Sequence, residues 1–296
     1  MCRTSVVIST RDRPVELART LGRLRDADPR MPVIVVDNAS DQDLRAWVPA
    51  QFHDVEVVRL DTNRGAAGRT VGVRRSRIPF VAFCDDDSCW EPGAFALAEQ
   101  LFDRHPSLAV IAARTLVGDK GLPDSITTDL ARSPLRDLDG LPGPRVLGFL
   151  ACSAIVRRDA YLGVGGFHPV LHFAGEERLL SLDLATRGWN ICYVNELVAR
   201  HRPSRIRPPS EWRRRRELRN DALTEWMRRP VTTALLHSGR LVRHAFNDSS
   251  ARGAVADLVR TLPTALMHRR QIPAPLEREV RQLEAFRLDC SSEAVP

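Results

Sequence analysis

Residues 79–90, PFVAFCDDDSCW, place Asp85, Asp86 and Asp87 directly behind an apolar run. Three adjacent carboxylates repel one another, and burying any of them is costly unless a cation or hydrogen-bond donors compensate. An Asp-x-Asp spacing at the end of a buried strand suits a hard divalent cation, Mg2+ or Mn2+, bound together with substrate phosphates. A solvated turn leading into the next helix is the plainer alternative. Asp37 and Asn38 end a second apolar run, MPVIVVDNAS, where side chains can hydrogen-bond a nucleoside. Glu176 and Glu177 open EERLLSLDLATRGW after a short FAG loop. Acids there complement a helix dipole, and the same position suits a general base facing a reacting hydroxyl. His201 closes YVNELVARH and adds an imidazole, structural or metal-ligating.

These groups need a scaffold that gathers strand ends. TSVVIST, MPVIVVDNAS, VEVVRLD, PFVAFCDDD and SLAVIAARTLV read as strands separated by helical segments. PVELARTLGRLRDAD carries Val15, Leu17, Leu21 and Leu24 at helical spacing. AAGRTVGVRRS and EPGAFALAEQLFDRH are further helices, the latter with Pro92 near its start. Continuous apolar strands alternating with helices indicate an α/β fold, a mostly parallel sheet covered on both faces. Ligands of such sheets collect at the carboxyl ends of strands, where STRDR, VDNAS and CDDDS all fall. A Pro- and Gly-rich stretch, 118–148, interrupts the alternation as a long excursion that can shape a pocket. Strand and helix signals then resume up to His201.

The chain has 296 residues, 43% hydrophobic and 27% charged, the balance of a globular protein. No apolar stretch approaches the ~20 residues of a membrane span, and no signal-peptide pattern opens the chain. The cytoplasm is therefore the expected compartment. The six cysteines form no C-x-x-C pair, and Cys84 and Cys192 read as buried thiols of a reducing compartment. The net charge of +7 is concentrated: residues 202–244 hold twelve arginines against four carboxylates. The sole lysine is Lys120, so the choice of arginine reflects composition more than function.

In combination the motifs resemble the family 2 glycosyltransferases, nucleotide-sugar-dependent enzymes of the GT-A fold. VVISTRDRPVELARTLGRL resembles that family's opening strand and helix, VVDNAS its second-strand motif and NRGAAGRTVGV its Asn-x-Gly segment. FCDDDS is similar to its Asp-x-Asp motif, VGGFHP with GEERLLSLDLATRGW to its Gly-Gly-Phe loop and acidic pair, and YVNELVARH to the strand ending in a metal-binding histidine. The resemblance runs from residue 4 to about 203, in order. It implies a catalytic domain over 1–203, with a nucleotide-binding half to about 117 and an acceptor half from about 145, followed by an Arg-rich helical region over 204–296.

The resemblance further implies that Thr10, Arg11, Asp37 and Asn38 line the base and ribose, with Arg69 on the same nucleotide-sugar side. Asp85 and Asp86 would face ribose, sugar or metal, Asp87 would bind Mn2+ or Mg2+ with Asp85, and His201 would approach the same metal. The Glu176–Glu177 pair would supply the base, Glu177 being favoured as the second member. The family commonly has Asp there, and Asn where Thr70 stands. An inverting, metal-assisted displacement from a nucleotide-diphosphate sugar to an acceptor hydroxyl is then expected, with UDP- or dTDP-type donors ahead of GDP-type.

The segment PPSEWRRRRELRNDALTEWMRRPVTTALLHSGRLVRHAF mixes arginine with Trp212, Trp226 and leucines. It reads either as a helical appendage packed on the catalytic domain or as a peripheral seat on an anionic membrane surface. Two other classes compete. Noncatalytic nucleic-acid binding by the arginines lacks a recognised motif, and the strand-end acids would repel phosphates. A nucleotidyltransferase would carry a Gly-rich phosphate loop after its first strand, which STRDRP lacks.

Overall fold

The computed structural model describes residues 2–136, 140–204 and 206–293, with side chains to residue 286. It opens with β1 (Thr4–Thr10), α1 (Pro14–Ala27), β2 (Val33–Asp37), a short α2 (Val48–Gln51), β3 (Val55–Arg59), α3 (Ala67–Arg75) and β4 (Phe80–Asp85). The four strands lie parallel, and the apolar runs of β1, β2 and β4 are buried because helices cover both faces, while β3 at the edge is half-buried. Pro14 begins α1, whose Leu17, Leu21 and Leu24 face the sheet, while Val15 points to solvent. Helix α3 lies close against the sheet at Gly72, where an added Cβ would stand 2.5 Å from Val7 Cγ1.

There follow β5 (Ser88–Trp90), α4 (Ala94–Arg104), β6 (Leu108–Val117), β7 (Leu122–Pro123), α5 (Ser125–Ala131), β8 (Ala154–Arg157), α6 (Arg158–Gly163), α7 (Glu176–Thr186) and β9 (Asn190–His201). The sheet order is β3-β2-β1-β4-β8-β6-β9-β5, with β7 paired to β6. It is parallel through the first four strands and mixed beyond, because β8 runs antiparallel to β4 and β6. One core lies under α1 and α4, and a second under α3, α6 and α7 around Phe83, Tyr161 and Phe167. The excursion over 118–148 contains β7 and α5, the latter capped by Asp124.

The sheet ends at His201, and helices begin at Ser210: α8 (Ser210–Arg228), α9 (Val231–Ala245), α10 (Ser249–Met267) and α11 (Ala274–Glu293). Helix α10 continues through Pro263. Leu223, Met227, Leu241 and Leu258 form a core shared by α8, α9 and α10, joined by Leu171 and Leu179 of the sheet domain. Helix α11 packs Leu276 and Val280 against Leu135, Leu147 and Leu182. Arg229, fully buried, is enclosed by Glu225, Glu277 and Glu284 at 2.5–3.2 Å. A second tie is the two-pronged bond from Arg145 to Glu279 at 2.7 and 2.8 Å. Removing one partner from such a buried network costs about 3–5 kcal/mol, so the helices are an integral part of the fold.

Candidate active site

Sheet register decides which polar ends meet. Thr10 lies opposite Asp37 and Ser9 opposite Asp85, so the ends of β1, β2 and β4 share one edge. The antiparallel pairing of β5 with β9 sets Ser88 opposite His201 and brings the histidine to Asp87. Each member of the triplet then takes different partners. Asp85 is hydrogen-bonded to Arg69. Asp86 accepts from the Thr10 hydroxyl at 2.7 Å and from Arg13 at 3.1 Å. Asp87 accepts from the Ser204 N–H at 2.9 Å, lies 3.2 Å from Arg207 and stands 3.3 Å from His201 Nε2.

Their protonation differs accordingly. Burial pushes the Asp86 carboxyl up to about 6, with Arg13 and Thr10 opposing it. Burial also works against ionisation of Asp87, but His201, the Ser204 N–H and Arg207 outweigh it and hold the carboxyl well below its usual range.

Two of the expected site residues take partners within the fold. Asp37 does not reach the cleft: it is fully buried, accepting from Arg59 and the Ser40 N–H at 2.8 Å each, and it braces the turn after β2. Asn38 takes the cleft position, fixed by the Arg64 N–H and the Gly65 carbonyl. Asp85 is engaged by Arg69, and its carboxylate does not gather with Asp87 and His201 within 4.8 Å here. Among the described residues, the trio of such groups gathered within 4.8 Å is Glu225, His237 and Glu284 in the helical region. There the Arg178 and Arg229 guanidiniums already supply the positive charge. Thr70 turns away from the cleft to Tyr161, 2.8 Å between hydroxyls.

Across the cleft, Glu176 and Glu177 open α7. Burial raises both carboxyls, and the adjacent charge raises Glu176 further. Glu176 Oε2 is buried with no hydrogen-bond partner, and Oε1 lies 4.0 Å from Arg69. Glu177 is held by the Ala151 N–H at 3.2 Å and keeps partial exposure. Arg69 is therefore the bridge between the clusters: burial disfavours its charge, but Asp85 and Glu176 keep it protonated.

The loop before α7 is strained, with positive φ at His172 (61°) and Ala174 (73°). The Asn220 amide of α8 holds it through the Leu171 and Ala174 carbonyls at 2.9 and 2.7 Å. Gly65, at φ +57°, lies so close that a Cβ there would meet the His172 carbonyl oxygen at 2.1 Å.

A cavity of about 710 Å³ is lined by Thr10, Arg11, Asn38, Arg69 and the three aspartates. A second, of about 680 Å³, is lined by Glu176, Glu177 and residues of the 118–148 excursion, including Asp129 and Leu147. They share Arg69, Asp85, His201 and Arg207, so one continuous cleft has two compartments. The helical region contributes Trp212 and Arg213 to the first compartment. Arg13, Ser204 and Arg207 were not among the expected site residues. The only sequence signal for Arg207 is its position six residues after His201.

Asp87 and His201 fit a divalent cation on their own chemistry. His201 Nε2 lies 3.3 Å from Asp87 Oδ1 and 3.0 Å from Arg207, and this one nitrogen either donates to Asp87 as N–H or, as a lone pair, accepts from Arg207 or a cation. A carboxylate oxygen and an imidazole nitrogen 3.3 Å apart are both ligand types that a divalent cation takes, and Arg207 supplies positive charge beside them.

With this geometry in place, known proteins can be compared. The model of the family described as "Glycosyl transferase family 2" matches residues 5–164. An "Uncharacterized glycosyltransferase" of Haemophilus influenzae is 30% identical over 109 residues, 36% of this chain and only 37% of that relative's length. A mannosyltransferase from Pyrobaculum calidifontis in complex with GDP-Man and Mn2+ superposes with TM-score 0.58 at 16% identity, covering 97% of this chain and 80% of that one. S. aureus TarS 1–349 in complex with UDP gives TM-score 0.55 at 19% identity, covering 75% and 64%. At these identities the likeness shows the fold, which is the GT-A arrangement of a curled α/β sheet.

Proposed function

The chain belongs to glycosyl transferase family 2, and from that premise we propose that its cleft transfers a sugar from a nucleotide-diphosphate donor to an acceptor hydroxyl with inversion. The observation that carries this reading is Arg69, which binds Asp85 and stands 4.0 Å from Glu176. One buried guanidinium thus joins the carboxylates of the donor compartment to the acid pair of the acceptor compartment, so the two substrates can meet. UDP- or dTDP-sugars are the donors proposed first.

Thr10, Arg11 and Asn38 line the space for the nucleoside, and Arg13 and Arg207 face the diphosphate. Asp87 and His201 would hold Mn2+ or Mg2+, which when bound neutralises charge on the diphosphate leaving group. Glu177 is the base: it takes the proton of the acceptor hydroxyl as that oxygen bonds to the anomeric carbon and the carbon–diphosphate oxygen bond breaks. Its hydrogen bond to Ala151 fixes its direction, and its raised proton affinity suits the task. Glu176 and Arg69 position the pair and set its charge.

Calorimetry with UDP, dTDP and GDP, each with and without Mn2+, tests the donor side. One nucleotide should bind tightly only with metal. Binding of none of them would overturn the reading.

A further inference from the structure

Several of the arginines that make residues 202–244 so basic are engaged by acids of the fold. Arg214 and Arg215 pair with Asp248 and Asp257, Arg228 with Asp183, and Arg229 with three glutamates. The Trp226 indole donates to Ser238 within the helical core. Helix α8 is therefore not an outward amphipathic face.

Helix α9 is. Val231, Leu235, Val242 and Phe246 at its C-cap follow at intervals of four, seven and four, which places them along one stripe of a 3.6-residue helix. All four are exposed, Phe246 by 79%, and Leu236 beside them by 65%. Isolated surface apolar residues are ordinary, whereas an aligned stripe along a whole helix marks a contact surface. The helix contains no carboxylate. Arg243 borders the stripe and Arg240 lies farther round the same helix; both are exposed, and neither has an ion pair among the described residues.

An apolar stripe bordered by uncompensated positive charge is complementary to an anionic lipid surface, which offers acyl chains below and phosphates above. A second copy of this chain would instead set these arginines against each other. We propose that the outer face of α9 docks the protein on an anionic bilayer. A groove of about 520 Å³ between α8 and α9 runs from Arg240 and Arg243 to Asp221, which also lines the acceptor compartment.

Flotation of the full chain with phosphatidylcholine vesicles, with and without phosphatidylglycerol, tests the docking. The protein should float with the anionic vesicles at low salt, and high salt should release most of it. The double change Leu235→Glu and Phe246→Glu should abolish flotation. Arg240→Glu with Arg243→Glu should weaken partitioning by at least about tenfold. All four sites are exposed, so melting temperature and metal-dependent nucleotide binding should stay at the wild-type values. Flotation that ignores lipid charge, survives both double substitutions or never occurs overturns docking. So does a concentration-dependent dimer in sedimentation that Leu235→Glu with Phe246→Glu dissolves. Nucleotide calorimetry without vesicles reads the transferase cleft separately, so failure of one proposal leaves the other measurable.

Discussion

The two acidic clusters of the cleft carry similar charge in opposite settings. Asp85, Asp86 and Asp87 sit at a strand end, each with different partners: Arg69, Arg13 and, for Asp87, Arg207 with the His201 imidazole. Glu176 and Glu177 sit in the first turn of a helix, with Arg69, already bound to Asp85, beside them and Arg213 acting at longer range. The first setting keeps Asp87 ionised and suited to hold positive charge. The second raises proton affinity and suits a group that must accept a proton and later release it. The difference lies in burial set against the cations and N–H donors within reach, as Asp86, raised beside Arg13, also shows.

The largest effect should come from Asp87→Ala. Metal-dependent turnover should fall to background, and Mn2+ affinity by at least about 100-fold, read by calorimetry. Glu177→Gln should lower kcat by roughly 10²–10⁴ while leaving the metal-dependent nucleotide Kd unchanged. Equal loss of nucleotide binding would place Glu177 with the first cluster and erase the contrast.

Glu176→Gln should act through pH. Because the pair titrates above the ordinary glutamate range, wild-type turnover should rise with pH through that region. Removing the adjacent charge should move this rise to lower pH by about one unit. The raised folded-state pKa also means that the pair's contribution to stability is present at acidic pH and lost as pH rises through the pair's range. Glu176→Gln should therefore show a shallower decline in Tm over that range. The smallest effect is Arg207→Ala, which removes the competing guanidinium and should tighten Mn2+ binding without nucleotide by up to about fivefold. A weaker Mn2+ site there would make Arg207 a support for the pair.

The strand-end acids were legible because they are local: an apolar run followed by carboxylates identifies both the strand and its polar end. The parallel half of the sheet was legible for the same reason. What escaped was partner choice. Asp37 looked equivalent to Asn38 until Arg59, 22 residues on, engaged it. Arg69 was placed with the nucleotide sugar, yet its reach to Glu176 depends on how α3 and α7 pack. The arginine run of α8 looked like a surface because its acidic partners, Asp183, Asp248, Asp257 and Glu277, are scattered over nearly a hundred positions. The α9 stripe lay within the quoted segment, but periodicity does not say which face another helix will cover.

The bond from the Ser204 N–H to Asp87 spans 117 positions, and that from Arg13 to the Ile206 carbonyl spans 193. Closing loops of that length requires the sheet edge to exist first, so this connection locks late in folding. It can also open alone, ahead of the core strands, in a partial unfolding that leaves the sheet intact. Hydrogen exchange should then find the Ser204 amide exchanging well before those of Val7 and Val35. This side of the cleft would then open before the sheet does, and a bound donor, touching both sides, would lengthen its lifetime.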